Sequence, residues 1–479
     1  MQPELLELGQ RVSGKLRTVS FKTGSATVIE AEVIRLFPQA AIFQLYTLQN
    51  ELRLSEVLAD FKILADELAI YQGKAVVRSL VDVGTVTICE VDLVDSFVSF
   101  DSLQPGGARQ ATQLSLKSFL QRWQDFYRIE PAYKLAVADL ASYLSEFRIW
   151  LDQVELGLSS LSPTDRLKAE REIAAELDAP TVASVGALFE RYEQVAAKLP
   201  ENTTDAHRVY CRRLIQPLVL SSPFALRAVK KPLGYAGDYL LVDMILRDPH
   251  EGKSLYGKVL NRWFIKQPPA EAHRNRITYL TQKLVEETAR VRATGQACKV
   301  FNIGCGPAQE IQRFYADSPL SDHADFMLLD FNDETLNVAQ KILGQARDRN
   351  GRQAKMEFMK KSAAQLLRMK ETKAGVSIFN QYDFVYCAGL YDYLSDSLCR
   401  QLNETFYKML RPGGLLVVTN VDACNPIRHW LGDILEWHLI YRGYHEMMGL
   451  RPAAADPDHV RVVADVTSVN IFMEIRKPH

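Results

Sequence analysis

From residue 297 onward, short apolar runs alternate with segments of helical character. CKVFNIG, DFMLLDF, MEFMK, YDFVYCAG, GGLLVVTNV and VTSVNIFMEIRK follow one another, most of them separated by helical stretches. Strands that alternate with helices fold as a parallel, doubly wound sheet with helices on both faces. One junction in this pattern carries more than architecture. In KVFNIGCGPAQE (299–310) a hydrophobic run meets a G-x-G elbow, and a helix is predicted from about Pro307. Glycine permits the tight bend and lets a ligand approach bare backbone, while the helix N-terminus offers free N–H groups.

A G-x-G elbow on its own is often only a turn, but the next strand adds an acid. LLDF places Asp330 at its carboxyl end, beside the elbow in a doubly wound sheet. A carboxylate there can accept both hydroxyls of a ribose. The alternative is a charge at a helix N-terminus, as Asn332 and Asp333 also suggest. The dinucleotide fingerprint requires a third glycine, and that position holds Gln309. A pyrophosphate is therefore disfavoured, whereas an adenosyl ligand without phosphates does not need that glycine.

Upstream the texture differs. Residues 1–105 are rich in β-branched runs. KAVVRSLVDVGTVTICEVDL (74–93) reads as a hairpin around Asp82-Val83-Gly84, and 21–34 and 40–54 are further strand candidates, so a small barrel or sandwich is expected. LQPGGARQATQ (103–113) is the expected linker. A helical region follows over 113–290. Tyr133, Val137, Leu140, Leu144, Phe147, Leu151 and Val154 form one apolar stripe with 4-3 spacing. That stripe requires a partner, either an intramolecular bundle or a homodimer interface through the helical domain. Ser162-Pro163 with Asp165 marks a helix start, and 164–177, 180–199 and 205–220 are separate helix candidates.

With 57 Lys and Arg against 58 Asp and Glu, the formal net charge is −1, which argues against nucleic acid as a partner. No run of apolar residues reaches membrane-spanning length, and the first ten residues lack the pattern of a signal peptide. The seven cysteines show no C-x-x-C pair and no zinc spacing, so no metal site is expected. Reduced thiols in a cytoplasmic protein are the simplest reading.

Residues 297–479 resemble a class I S-adenosylmethionine-dependent methyltransferase. FNIGCGPAQE resembles its first motif, LLDFNDETL its second and MEFMKKSAAQLL its third. YDFVYCAGLYDYL resembles the fourth strand with the loop that faces the methyl group, and LRPGGLLVVTNV the turn into the fifth strand. VTSVNIFMEIRK suits the sixth and seventh strands, the last antiparallel. The resemblance implies a seven-stranded C-terminal domain over 295–479 that binds S-adenosyl-L-methionine. Asn302, Gly304, Cys305 and Gly306 would form the elbow contacts, Asp330 would hold the ribose, and Phe331, Ser362 and Ala363 would lie at the adenine, with Ala388 and Gly389 near the methyl group. Asn302 and Ser362 stand where acids are commoner in that family. More narrowly, 230–246 and 268–280 resemble bacterial methyltransferase-like proteins that make the quorum signal 3-hydroxypalmitate methyl ester. The N-terminal β region resembles a PilZ-like barrel, although it carries neither R-x-x-x-R nor D/N-x-S-x-x-G, so cyclic di-GMP is not an expected ligand.

Three clusters are candidates for the remaining chemistry. GYAGDY (234–239) could fold over the cofactor as a lid, with Tyr235 reaching the methionine carboxylate and Asp238 its ammonium; the alternative is a glycine turn packing two tyrosines. Tyr391, Asp392 and Tyr393 follow the fourth strand, where the acceptor is expected, or simply pack a helix. Asn425, Arg428, His429, Trp430, Trp437, His438 and Arg442 follow the fifth strand, with His429 or His438 as a base and Arg428 or Arg442 for an acidic head group. A histidine beside tryptophan also suits a packed core. Arg276, in PPAEAHRNR, could reach the cofactor carboxylate, and Cys305 suits a small filler. The catalytic candidates are thus Tyr391, His429 and Tyr235. The expected function is methyl transfer to a small-molecule acceptor, with a carboxylic or hydroxy-fatty acid implied by the narrower resemblance. A non-catalytic adenosylmethionine sensor is the alternative from another class; methylation of RNA or protein is a third.

Overall fold

The computed structural model describes residues 17–22, 28–36, 39–46, 52–65, 68–82, 86–95, 120, 129–200, 204–368 and 378–479. The expected linker at 103–113 lies outside the described residues.

The N-terminal strands β1 (Arg17–Lys22), β2 (Val28–Leu36), β3 (Ala40–Tyr46), β4 (Val57–Ala65), β5 (Leu68–Asp82) and β6 (Val86–Leu93) form a closed barrel in the order β1-β2-β3-β6-β5-β4. The expected hairpin is present as β5 and β6, with Asp82 opposite Thr87. Closure of β1 onto β4 sets Val19 opposite Ile63. The alternating inward side chains then fill the interior, where Phe21 stacks with Phe61 at 5.7 Å and meets Phe43 at 5.5 Å.

The helical region runs through α1 (Pro131–Gly157), α2 (Pro163–Ala196), α3 (Thr204–Val219), α4 (Pro223–Lys230), α5 (Tyr239–Leu246), α6 (Leu255–Ile265) and α7 (Pro268–Arg292). Ser162 caps α2 as expected, accepting from the Asp165 amide. Two helices anticipated around Pro180 are one helix; the proline sits within α2 rather than ending it. The apolar stripe is consumed inside the chain. Tyr133, Val137, Leu140, Leu144 and Leu151 are fully buried where α1 meets α2, α3 and α6. These five side chains are already enclosed within the chain, while Phe147 and Val154 are half-buried at its edge. The helix α7 lies against the C-terminal sheet, its Leu280, Leu284 and Val291 sharing a core with Val300 and Phe326.

The C-terminal sheet has seven strands: β7 (Cys298–Ile303), β8 (Ala324–Asp330), β9 (Lys355–Lys360), β10 (Tyr382–Cys387), β11 (Leu410–Val421), β12 (Val460–Ala464) and β13 (Asn470–Arg476), in the order β12-β13-β11-β10-β7-β8-β9. All pairings are parallel except those of β13, which runs antiparallel to β11 and β12. This is the doubly wound arrangement anticipated from sequence, with one correction. Only the seventh strand falls in VTSVNIFMEIRK. The sixth lies upstream at VRVVA, because the Asp465 carboxylate accepts from the Thr467 and Asn470 amides and closes a hairpin between them. Strand order reverses between β7 and β10, which opens a crevice at their carboxyl ends.

A buried ionic chain ties the three regions together. Arg78 and Arg212 donate to Asp92 of the barrel, at 3.1 and 3.3 Å. Arg212 also donates to the Asp433 carbonyl at 2.9 Å, while Arg208 and Tyr192 donate to the Asp433 carboxylate at 2.7 and 2.8 Å. Burial alone would raise the pKa of Asp92, yet Arg212 and Arg78 outweigh it and hold the group below its ordinary value. Among the described residues, no helix is long and apolar enough to cross a membrane.

Because Leu144 is fully enclosed at the α1 seam, Leu144→Ala is expected to destabilise the helical region by about 2–5 kcal/mol. Chemical denaturation followed by circular dichroism measures this, and a loss below 1 kcal/mol would show that the seam is not a packed core.

Candidate functional site

Register positions the site. Ile303 of β7 pairs with Leu329 of β8, so the elbow leaves the sheet directly beside Asp330. The Leu329 carbonyl accepts from both Gly304 and Cys305 amides, at 2.8 and 3.1 Å, which fixes the elbow to the neighbouring strand end. Gly304 and Gly306 have φ of +66° and +52°, conformations costly for any residue with a Cβ. The helix α8 (Gln309–Asp317) starts immediately after.

Asp330 is 6% exposed and accepts from the Gly306 amide at 3.3 Å and the Asn332 amide at 3.1 Å. Burial pushes its carboxyl pKa up, against the pull of those amides and of the Arg53 charge. Asn332, not Asp330, caps the helix α9 (Asp333–Arg349) by accepting from Thr335. The Asp330 carboxylate, which has no ion-pair partner among the described residues, faces a cavity of about 240 Å³.

Most expected cofactor residues line this cavity: Asn302, Gly304, Cys305, Gly306, Asp330, Phe331, Ala363, Ala388, Gly389, Tyr235 and Arg276. Two do not. Ser362 is absorbed in a capping box with Gln365 at the start of the helix α10 (Ala363–Leu367), and Lys361 and Ala363 form the wall on either side of it. Asp238 caps α5, accepting from the Leu240 and Leu241 amides, and pairs with Arg227 at 2.8 Å. All three of these bonds fall on Oδ1, and the side chain turns to the start of α5 rather than to the cavity wall.

Tyr235 also differs in direction from its expected role. Its hydroxyl lies 3.4 Å from Thr335 Oγ1, and its ring meets the edge of Phe331 at 5.1 Å. It lies against Phe331 and Thr335, beside Asp330. Gly237, two residues on, packs against the loops after β10 and β11. A Cβ on Gly237, where φ is +70°, would come within 2.7 Å of the Tyr393 hydroxyl and 3.1 Å of the Trp437 ring. Trp437 Nε1 donates to that hydroxyl at 2.8 Å, so the 234–239 segment and the post-strand loops interlock.

Arg276 is the cation of the cavity's deep wall. Its Nη2 lies 2.7 Å from His273 Nδ1, and it presses on Gly389, where a Cβ would approach Nη1 to 2.9 Å. Burial lowers its pKa, an effect opposed by Asp392, Tyr393 and Glu310, yet none of the described carboxylates pairs with it. Burial likewise pushes the His273 ring well below its ordinary value, with Arg276 and Arg274 adding to the effect, so it is neutral.

The catalytic candidates separate. Tyr391 is fully buried in the core under the sheet; its hydroxyl donates to Asn403 Oδ1 at 2.7 Å and it does not line the cavity. The 3₁₀ turn at Tyr391–Tyr393 instead sends the two following side chains, Asp392 and Tyr393, to the wall. Asp392 is 4% exposed, accepts from the Val421 amide at 2.7 Å, and has its pKa pushed up to about 6 by burial. His429 lies outside the cavity, its Nε2 accepting from Arg428 Nε at 3.2 Å. His438 is likewise outside, at the junction with Ser55 of the barrel. Arg442 is 1% exposed and wholly engaged: it donates to Asp396, the Tyr391 carbonyl and Asn420 Oδ1 at 2.7–2.8 Å, and to the Leu394 carbonyl. It staples the loop after β11 and has no donor left for a head group. From that segment, Asn425, Trp430 and Trp437 do reach the wall.

Sequence reasoning missed two wall residues. Glu310, in the first turn of α8, is buried, accepts from Tyr386 at 2.7 Å and from Asn302 Nδ2 at 3.3 Å, and has its pKa raised by burial. The acid absent at position 302 is thus supplied eight residues later, where its place in QE after the elbow could have signalled it. Arg53, from the barrel, gave no local signal at all.

No protein-family model matches the chain, and no curated protein matches it. Solved structures do. A possible exported protein from Bordetella parapertussis is similar over 67% of this chain and 100% of its own, at 17% identity and TM-score 0.41. Magnesium protoporphyrin IX methyltransferase from Synechocystis PCC 6803, with bound S-adenosylhomocysteine, is similar over 49% and 92% at 12% identity and TM-score 0.34. N-methyltransferase NodS from Bradyrhizobium japonicum WM9, in complex with S-adenosylhomocysteine, is similar over 50% and 98% at 16% identity and TM-score 0.29. At these scores the matches do not bear on the chemistry of this chain.

Asp238→Ala removes the N-cap of α5 and the partner of Arg227, and is expected to cost about 1–2 kcal/mol of stability. Thermal unfolding measures it. Unchanged stability with weakened ligand binding would return Asp238 to the ligand.

Proposed function

We propose that this chain is an S-adenosylmethionine-dependent methyltransferase that methylates an oxygen on a largely apolar small molecule. One observation carries the reading. A single cavity at the sheet's switch point holds a buried carboxylate, Asp330, and a guanidinium, Arg276, each without an ion-pair partner among the described residues, on either side of a bare glycine elbow. Those groups fit an adenosyl amino acid: Asp330 would accept the ribose hydroxyls and Arg276 would bind the methionyl carboxylate. Two cavity-facing ions left apart in a poorly solvated wall are costly unless a ligand pairs with each.

When bound, the cofactor supplies an electrophilic methyl on a sulfonium. The chain's own part is to position the acceptor and exclude water. Tyr393 and Trp437, locked under Gly237 of the lid, would close the acceptor end. The cavity's apolar lining includes Phe224, Ile245, Phe264, Trp430 and Leu439. Such a wall favours an acyl or comparably apolar body, which agrees with a carboxylic or hydroxy-fatty acid. A carboxylate needs no base, whereas a hydroxyl does, and Asp392 is the wall residue suited to take that proton.

Purified protein incubated with S-adenosylmethionine and a panel of medium- and long-chain fatty and hydroxy-fatty acids is expected to release S-adenosylhomocysteine. Asp330→Ala is expected to weaken S-adenosylhomocysteine binding by about 1–3 kcal/mol in calorimetry. Binding without turnover on any acceptor would favour a sensor, and no binding at all would reject the cofactor.

Below about pH 6 the Asp392 carboxyl holds its proton and cannot accept another. With a hydroxyl acceptor, turnover is therefore expected to rise as pH passes upward through that value, and Asp392→Asn is expected to lose the rise along with roughly 10²–10⁴-fold in rate. With a carboxylate acceptor Asp392→Asn is expected to retain its rate. A pH–rate profile on each acceptor class separates the two.

A further inference from the structure

We propose that the N-terminal barrel supplies part of the cofactor site itself, through Arg53, and that this guanidinium is a binding residue for the adenine end of the ligand. The proposal rests on the adenosyl reading of the cavity given above.

The segment Leu52–Glu56, just before β4, carries it. Arg53 Cζ lies 3.9 Å from the centroid of the Phe331 ring, and Arg53 and Leu54 both line the cavity. Phe331 follows Asp330 directly, so a ring held there sits beside the carboxylate assigned to the ribose. With Tyr235 against the same ring, three side chains from three regions of the chain converge on one aromatic platform. Guanidinium planes stack on aromatic and heteroaromatic faces, and adenine offers such a face. No carboxylate of the described residues lies within ion-pair distance of the Arg53 guanidinium. Its charge instead acts on Asp330 and on Tyr235.

The turn is held in place from every side, which distinguishes it from a surface arginine that happens to reach inward. Its own bonds close it: the Arg53 amide donates to Glu56 Oε2 at 2.9 Å, and the Glu56 amide to the Arg53 carbonyl at 3.2 Å. The Ser55 amide bonds Val77 of β5, tying the turn to the barrel. Ser55 Oγ accepts from the His438 amide at 2.7 Å, tying it to the loop after β11. The Val57 amide donates to the Gly234 carbonyl at 2.6 Å, tying it to the lid. Leu52, Leu54 and Ser55 are all buried. A segment fixed at that many points presents Arg53 at a set position, as a binding residue requires.

The test measures binding rather than turnover. Dissociation constants for S-adenosylhomocysteine and for adenosine are determined by calorimetry on the full chain, on Arg53→Ala, Arg53→Gln, Arg53→Lys and Arg276→Ala, with melting temperatures alongside. Arg53→Ala and Arg53→Gln are expected to weaken both ligands by about three- to thirty-fold, and Arg53→Lys to recover part of the loss. Arg276→Ala is expected to weaken S-adenosylhomocysteine and spare adenosine, which lacks the amino-acid moiety. If Arg53→Ala fails to fold, Arg53→Gln, which keeps the length and polarity of the side chain, decides. Wild-type affinity for both ligands in a folded Arg53→Gln protein, or a loss confined to S-adenosylhomocysteine, would overturn the assignment while leaving the adenosyl reading intact. Failure of the unmodified chain to bind either ligand would instead overturn that reading, and this proposal with it.

Discussion

The Leu329 carbonyl accepting two successive elbow amides is the contact on which the site depends. It holds Gly304 and Cys305 against the end of β8, and so brings Asp330 to the Gly306 amide. A parallel pair has one register in which this occurs, and the apolar faces of β7 and β8 enforce that register, because a one-residue slip would turn every side chain to the opposite face of the sheet. The hydrophobic core and the ligand geometry are therefore the same constraint seen from two sides.

What the sequence made legible follows from this. The elbow, the acid and the strand alternation are local patterns, and local patterns survive into the fold: β7, β8 and the helix after Gly306 stand where the apolar runs and glycines predicted. The side chains after β10 and β11 were not legible in the same way. Tyr391 and Asp392 are neighbours, and a single 3₁₀ turn decides which enters the core and which enters the cavity. Nothing in YDY distinguishes them until the packing of Asn403 and the Val421 amide is known. Ser362 and Asp238 lie off the cavity wall for a different reason: small polar residues before helices are caps first, and their side chains turn back to the helix start. Arg53 was beyond local reading because it meets Phe331 only through the docking of a separate barrel.

That docking is polar where domain interfaces within one chain are commonly looser. The Arg78–Asp92–Arg212–Asp433 chain passes from the barrel through the helical region to the C-terminal domain. Breaking one member would strand a buried charge, and such losses are larger than the net worth of the pair. The three regions meet around the cavity: the Val57 amide bonds the Gly234 carbonyl, and Ser55 accepts from the His438 amide in the loop after β11.

Arg442 has an implication for how such a protein diversifies. Its donors grip the Tyr391 and Leu394 carbonyls and Asn420 together, so the backbone bordering the cavity there is riveted rather than sprung. Insertions or deletions there would orphan a buried guanidinium. A change in what the cavity admits would therefore arise by exchanging side chains upon an unchanged frame, with bulk at Trp430 and Trp437 as the available dial, and descendants of this chain would differ in the shape of the chamber far more than in the course of the chain around it.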